Sequence, residues 1–139
     1  MSTEIIVNKP FKIDFTMCEM SKPYKGSPLG MLWSGSVTTP VYALSKDSYS
    51  LIVNAKGTKA FEEYAKLKIQ VFSSNKDKSS LIVEKIVETK QDFTNFNLLF
   101  ELKQDDNVSF IVSFINDKSR AKPKEDRNAY LKSIILKRQ

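Results

Sequence analysis

Histidine is absent from this 139-residue sequence, and cysteine occurs once, at Cys18. Without histidine the chain has no Ser–His–Asp triad, no catalytic Cys–His pair and no histidine-based zinc site. A single cysteine excludes an internal disulfide, which fits a reducing compartment without requiring one. The metal ligands that remain are oxygen atoms of Asp, Glu, Asn and the backbone, and these suit a hard cation such as calcium.

Long apolar runs are also absent. The stretch MSTEIIVNKPF lacks the apolar core of a signal peptide, and no run approaches the length of a transmembrane helix. The length is that of one ordinary domain, so we expect a single soluble domain over residues 1–139, alone or as part of a longer exported protein.

What is present is a basic, moderately apolar composition. The 22 Lys and Arg residues exceed the 16 Asp and Glu residues, which gives a net charge of +6, and 41% of the residues are hydrophobic. A positive balance suits nucleic acid, an anionic membrane surface or an acidic polymer, and it also serves solubility alone.

Alternation of apolar and polar residues predicts β-structure along most of the chain. In PFKIDFTMCEM (10–20), four apolar residues share one face of a half-buried strand. Strands at this spacing, without alternating helices, predict an all-β fold: a two-sheet antiparallel β-sandwich of jelly-roll-like architecture. The other predicted strands, separated by turn-forming residues, cover 31–37, 40–44, 49–57, 65–72, 80–88, 93–102, 107–116 and 129–137.

One segment departs from this pattern. TKAFEEYAKL (58–67) contains helix-forming residues, a threonine in a capping position and the early acids Glu62 and Glu63. We therefore predict a short helical turn near residues 58–66, between two strands.

Carboxylates and lysines concentrate between the last two predicted strands, in FINDKSRAKPKEDRNAYLKSIIL (114–136). Asp117 lies near one end of this loop, and Glu125 and Asp126 lie near the other. Because strand ends meet at the rim of a sandwich, these carboxylates could converge on a calcium ion, which takes roughly six to eight oxygen ligands. The alternative is a solvated turn with a weak surface ion pair.

Three further residues of the loop have polar side chains suited to the same site. Asn116 and Asn128 could add carbonyl oxygens or brace the loop by bonding its backbone. Arg127 offers a planar donor fork to a carboxylate or to a sugar hydroxyl.

The span from Tyr42 to Leu136 resembles the calcium-dependent, xylan-binding type of carbohydrate-binding module. The likeness is carried by YSLIVNAKGTKAFEEYAKLKIQV and by a final hairpin in which F-x-N-D (114–117) is followed by D-R-N-x-Y (126–130). It implies a non-catalytic β-sandwich, extracellular or on a cell surface, whose bound calcium takes two sugar hydroxyls at open positions. The implied calcium ligands are Asp117 and Asp126, then Asn116 and Glu125, and Arg127 and Asn128 brace the loop or contact the ligand.

The chain departs from the family pattern at several places. Ala129 stands where the family often has leucine, and Lys132 where it usually has an acid. The loop-tip cations, including Lys118 and Arg120, would repel a calcium ion within about 8–10 Å, or would instead recruit an acidic sugar. Tyr24, in a Pro/Gly-rich loop, is the aromatic residue most expected to be exposed to a sugar ring.

Two other functions remain open. A protein-interaction or scaffold domain would use its edge strands for contact. Nucleic-acid binding would use the basic C-terminal part, although the sequence contains no RNP, KH or zinc-finger pattern. An enzyme is disfavoured, because adjacent acids such as Glu62 and Glu63 do not face each other on a helix and no pattern indicates a catalytic carboxyl.

Overall fold

The computed structural model describes residues 3–4, 9–20, 30–32, 35–75, 78–116, 119–121 and 124–139, with the backbone alone at 3–4, 30–32, 75, 119–121 and 124–126. The described part is mostly β-structure with one 3₁₀ helix, Phe15–Met17, and none of its helices could cross a membrane. The strands are β1 Thr3–Glu4, β2 Phe11–Lys12, β3 Glu19–Met20, β4 Gly30–Leu32, β5 Ser36–Thr38, β6 Tyr42–Leu44, β7 Asp47–Gly57, β8 Lys59–Ala60, β9 Glu63–Tyr64, β10 Lys66–Asn75, β11 Lys78–Glu88, β12 Thr94–Leu102, β13 Asp106–Phe114, β14 Ser119–Ala121, β15 Lys124–Asp126 and β16 Ala129–Arg138.

Two sheets pack face to face around one core. Sheet A has the order β1-β6-β13-β10-β11, with β5 also on β13 and β3 on β5. Sheet B has the order β12-β7-β16-β2, with β4 also on β16. Except for the parallel pair β1–β6, the described pairs within these sheets are antiparallel. The predicted all-β, jelly-roll-like sandwich is therefore confirmed.

The period of two along each strand places the apolar residues inside. On β7, Leu51, Val53 and Ala55 are fully buried, whereas the residues between them are partly exposed. Aromatic rings cross the core in contact, with centroids 5.5 Å apart for Tyr49 and Phe100 and 5.9 Å apart for Phe100 and Phe110. Full burial of one large apolar side chain contributes about 1.5–3 kcal/mol to the stability of the folded state. The alternation therefore accounts for most of the driving force for this fold.

The predicted strand over 10–20 is interrupted. The Asp14 carboxylate accepts hydrogen bonds from the Thr16 amide at 2.9 Å and the Thr16 hydroxyl at 2.8 Å, which caps the 3₁₀ helix and turns the chain. Cys18, just beyond it, is half-buried, and burial raises the pKa of its thiol to about 11. Likewise, the predicted strand over 31–37 is two strands, β4 in sheet B and β5 in sheet A.

The helical turn predicted near residues 58–66 is wrong. β8 and β9 form an antiparallel hairpin in which Lys59 is opposite Tyr64 and Ala60 is opposite Glu63. The two residues between them, Phe61 and Glu62, have positive φ angles of 53° and 67°. Positive φ at both central positions is the backbone of a type I′ turn, which matches the twist of a hairpin. Such turns usually contain Asn or Gly. Because neither residue occurs at these two positions, the sequence did not indicate a hairpin.

Candidate functional site

The charged loop between β13 and β16 contains a second small hairpin. In it β14 pairs with β15, which places Ser119 opposite Asp126 and Arg120 opposite Glu125. Of the residues predicted to bind calcium or a ligand, Asp117, Lys118 and Tyr24 lie outside the described residues. The backbone alone is described at Arg120, Glu125 and Asp126, so the roles of these six residues stay predictions.

Arg127 is buried, with 2% of its surface exposed. Its guanidinium donates to three backbone carbonyls: Nε to that of Glu63 at 3.0 Å, Nη1 to that of Asn116, and Nη2 to that of Ala60. Nη2 also lies 3.5 Å from Oε2 of Glu63. The side chain therefore ties the β8–β9 hairpin to the end of β13, and its guanidinium has little surface to offer a sugar.

Asn116 and Asn128 attach to the same part of the chain. In the Asn116 side chain, Oδ1 accepts a hydrogen bond from the backbone N–H of Lys66 at 2.6 Å, and Nδ2 donates to the backbone carbonyl of Tyr64 at 3.0 Å. The Asn128 N–H donates to Oγ1 of Thr58 at 2.7 Å, and its carbonyl accepts from the Thr58 N–H at 2.9 Å. These motif residues thus brace the hairpin, whereas their roles as calcium or sugar ligands stay predictions.

The braced hairpin forms one wall of a pocket of about 530 Å³. The pocket lies where the end of β7, the hairpin, the segment before β12 and the start of β16 meet. It combines two tyrosine rings with two ammonium groups, one carboxylate and one amide, which is a mixture of apolar and hydrogen-bonding surface suited to a small polar ligand. Its lining residues are Lys56, Gly57, Thr58, Lys59, Tyr64, Gln91, Asp92 and Tyr130.

Close packing behind Gly57 supports the back of this pocket. A Cβ atom at Gly57 would lie 2.0 Å from Oγ1 of Thr89 and 2.9 Å from Cβ of Ala65. Thr89 is 1% exposed, and its hydroxyl donates to the Ala65 carbonyl at 2.7 Å, so it has little room to move. Position 57 therefore requires glycine because of a close approach.

Lysines lie over aromatic rings around the pocket. Nζ of Lys56 is 4.8 Å from the ring centroid of Phe93 and 5.4 Å from that of Tyr130. Nζ of Lys132 is 5.4 Å from the same Phe93 centroid, and Nζ of Lys59 is 5.6 Å from that of Tyr64. These are cation–π distances, and they hold the ammonium groups at the outer surface of the sandwich.

Polar side chains continue from the pocket along the outer face of sheet B. The side-chain amide of Asn54, on β7, donates to Oδ1 of Asn95 on the neighbouring strand β12 at 2.7 Å. On the other neighbouring strand, β16, Ser133 is paired with Asn54. Asn97 follows two residues after Asn95 on β12 and is exposed. We call Asn54, Asn95, Asn97 and Ser133 the polar strip. Together with the pocket it offers a row of hydrogen-bonding groups across three strands.

Asn116, Arg127 and Asn128, the predicted site residues whose side chains the structure describes, are not among the residues that line the pocket. The lining residues Lys56, Gln91, Asp92 and Tyr130 come from separate segments that meet only through the register of sheet B. The one available signal was Tyr130, which ends the D-R-N-x-Y motif. Within the described ranges, no three or more Asp, Glu or Cys residues group in a way that could hold a metal ion.

Comparisons with known proteins show a shared fold without sequence similarity. No protein-family model matches this sequence, and no curated protein matches it. A family 4 carbohydrate-binding module has a TM-score of 0.59 and 9% identity, covering 89% of this chain and 96% of that one. The N-terminal cellulose-binding domain of β-1,4-glucanase C from Cellulomonas fimi has a TM-score of 0.57 and 8% identity, covering 94% and 87%.

The same fold also occurs in a different kind of protein. The mosquito-larvicidal Cry4Aa toxin from Bacillus thuringiensis has a TM-score of 0.58 and 9% identity, and the likeness covers 99% of this chain and 25% of the toxin. At such identities the comparisons establish the fold alone. This chain therefore has the β-sandwich fold found in carbohydrate-binding modules, as the resemblance implied.

Proposed function

We propose that this chain is a non-catalytic carbohydrate-binding domain that recognises a polysaccharide or oligosaccharide at the pocket and the polar strip. The observation that carries the proposal is the pocket itself, in which Tyr64 and Tyr130 accompany hydrogen-bonding side chains. The fold shared with carbohydrate-binding modules supports it. A polysaccharide ligand would place the protein outside the cell or at its surface.

The chemistry of the site suits sugar binding without catalysis. The apolar face of a pyranose ring can pack on a tyrosine ring, while the exposed side-chain amides of Asn95 and Asn97 exchange hydrogen bonds with hydroxyls. Hydrolysis of a glycosidic bond typically needs two carboxyl groups about 5–10 Å apart. Among the described residues that line the pocket, Asp92 is the one carboxylate.

A calcium ion in the neighbouring loop is the second part of the proposal. The F-x-N-D and D-R-N motifs supply hard oxygen donors, which is the donor chemistry calcium requires, with Asp117 and Asp126 as the main ligands and Asn116 and Glu125 next. β15 lies beside β8, and Asn128 bonds Thr58 of the pocket wall. When bound, the ion would supply a cation for sugar hydroxyls, and Arg127 and Asn128 would keep the loop in place.

Calorimetric titration of the full chain with xylan, cello-oligosaccharides and acidic oligosaccharides, with and without calcium, tests the proposal. Tyr130→Ala should weaken glycan binding about tenfold, because it removes the stacking surface. The matched control is Phe72→Ala, a partly buried ring on β10 of the opposite sheet, which should leave binding unchanged.

Several outcomes would contradict the proposal. If the wild type binds no glycan, or if Tyr130→Ala binds as well as the wild type, the pocket is not a sugar site. Asp126→Asn should abolish any effect of calcium on affinity. If calcium neither binds nor changes glycan affinity in the wild type, the metal is removed from the proposal and the sugar site stands by itself.

A protein-interaction domain is the second candidate, and β11 favours it. This 11-residue strand pairs only with β10 among the described strands, so its other edge offers backbone groups to a partner. Its residues Leu81 and Ile86 are 48% and 54% exposed. Capture of a partner that survives a chelator and is lost on replacing Lys85 with proline would support this function.

A further inference from the structure

Two lysines converge on one aromatic ring beside the pocket. The ammonium groups of Lys56 and Lys132 lie 4.8 Å and 5.4 Å from the centroid of Phe93. Lys56 also lines the pocket, together with Lys59 on its opposite wall. Two lysines therefore line the cavity and a third, Lys132, lies beside Lys56 at the Phe93 ring, whereas Asp92 is the one carboxylate among the described lining residues.

A β-bulge positions the second lysine. The register of β16 on β7 pairs Leu131 with Ala55 and then Ser133 with Asn54, so Lys132 is an extra residue without its own partner on β7. Leu131 and Ile134 are both fully buried. The two residues between them, Lys132 and Ser133, consequently share the outer face, where strict alternation would expose only one.

These lysines are not neutralised by the ion pairs found among the described residues. Those pairs join Arg127 to Glu63 and Arg138 to Asp47, and they involve none of the three lysines. Like charges over one ring repel each other, and the electron-rich ring face offsets this only in part. An anionic group bound beside this ring would be attracted by the ammonium groups of both Lys56 and Lys132.

We infer that the pocket takes a sugar carrying an anionic substituent, which binds at the ammonium groups of Lys56 and Lys132 at the edge of the pocket while the sugar ring packs on Tyr130. This inference rests on the proposed sugar-binding function and narrows its ligand class. A carboxylate or a sulfate ester would satisfy the two lysines equally. The Asp92 carboxylate favours a ligand that has hydroxyl groups to donate to it beside the anionic group.

The test compares acidic polymers with matched neutral ones on the full chain. Polygalacturonate and glucuronic-acid-substituted xylan are each titrated beside their carboxyl-reduced forms, and dextran sulfate is titrated beside dextran. The protein variants are Lys56→Gln, Lys132→Gln and their double variant. Lys103→Gln is the control, because Lys103 is an exposed lysine in the turn after β12, at the far end of that strand from Phe93. Thermal unfolding verifies that all variants are folded.

We expect the wild type to bind an acidic polymer more tightly than its neutral form. Each single variant should lose roughly fivefold in affinity for the acidic polymer and the double variant more, and the loss of affinity for the neutral form should be smaller. Lys103→Gln should match the wild type. Preference for the uronic acids assigns a carboxylate, and preference for dextran sulfate alone assigns a sulfate ester.

Three results would overturn the inference. Equal affinity for acidic and neutral forms would do so while leaving the sugar-binding proposal intact. An effect of Lys103→Gln as large as that of Lys56→Gln would show attraction by net charge alone. Tighter binding of single-stranded DNA than of every glycan, lost in the Lys56 and Lys132 variants, would assign the site to nucleic acid. A wild type that binds no glycan at all contradicts the proposed function as well.

Discussion

The two ends of β16 carry arginines in opposite situations. Arg127, just before the strand, is 2% exposed and donates to three backbone carbonyls. Arg138, the last residue of the strand, has a side chain that is 46% exposed and pairs with Asp47. A buried guanidinium that donates to three carbonyls holds the surrounding backbone in one arrangement, whereas an exposed pair contributes little because water and salt screen it.

The same contrast between buried and exposed side chains is found within the candidate site. Arg127 and Asn116 hold the hairpin that forms the pocket wall, and they are bonded to backbone. The groups that we propose contact a ligand, such as Tyr130 and Lys56, lie partly exposed on the outer face of sheet B. Motif residues can therefore matter to a binding site through the backbone that they position, without touching the ligand.

Removing the buried arginine should have the largest effect. Arg127→Met keeps much of the volume but leaves three carbonyls without their donors, so we expect the free energy of unfolding to fall by about 3–5 kcal/mol. Arg127→Lys should lose less, because the ammonium keeps the charge but not the planar fork. Urea unfolding measures both. A loss below about 1 kcal/mol for Arg127→Met would show that the hairpin does not depend on this side chain.

Adding a methyl group at position 57, at the back of the pocket, should have an intermediate effect on stability. Gly57→Ala would bring Cβ to 2.0 Å from the Thr89 hydroxyl oxygen, and overpacking of this kind costs about 1–3 kcal/mol of stability. In a Thr89→Ala background the clashing oxygen is gone, so the same substitution should be less harmful there. Simple additivity of the two substitutions in a double-mutant cycle would rule out this contact as the cause.

Replacing Asp47, the partner of the exposed Arg138, should have the smallest effect on stability, and this effect should depend on pH. Hydrogen bonds from the Ser48 N–H and the Arg138 side chain lower the pKa of the Asp47 carboxyl from its ordinary value of 3.8. A lowered pKa stabilises the folded state above that ordinary value, and the contribution disappears as the pH falls through the lower, folded-state pKa. Asp47→Asn should thus be slightly less stable than the wild type at pH 7 and equal to it in strong acid. A difference that persists at low pH would point to a cause other than charge.

Local pattern was enough to predict the strands and the core. The alternation in residues 93–102 predicted β12, found at Thr94–Leu102, and that in 107–116 predicted β13, found at Asp106–Phe114. The prediction for residues 58–66 was wrong because helix-forming side chains do not indicate a turn that is held in place by hydrogen bonds from a distant part of the chain. The donor to Ala60 and Glu63 is Arg127, which lies far along the chain.

The amino-acid sequence by itself determined that this protein would be an all-β sandwich and that histidine-dependent chemistry is closed to it. Both follow from local facts: a period of two defines an inner and an outer face, and a missing side chain cannot be supplied by folding. The tertiary structure decided which outer-face residues become neighbours. Pairing of β7 with β12 and β16 brought Lys56, Phe93 and Tyr130 together, and the bulge placed Lys132 beside them. Register is set by hydrogen bonds between distant segments, and a one-residue shift would have turned these side chains to the other face.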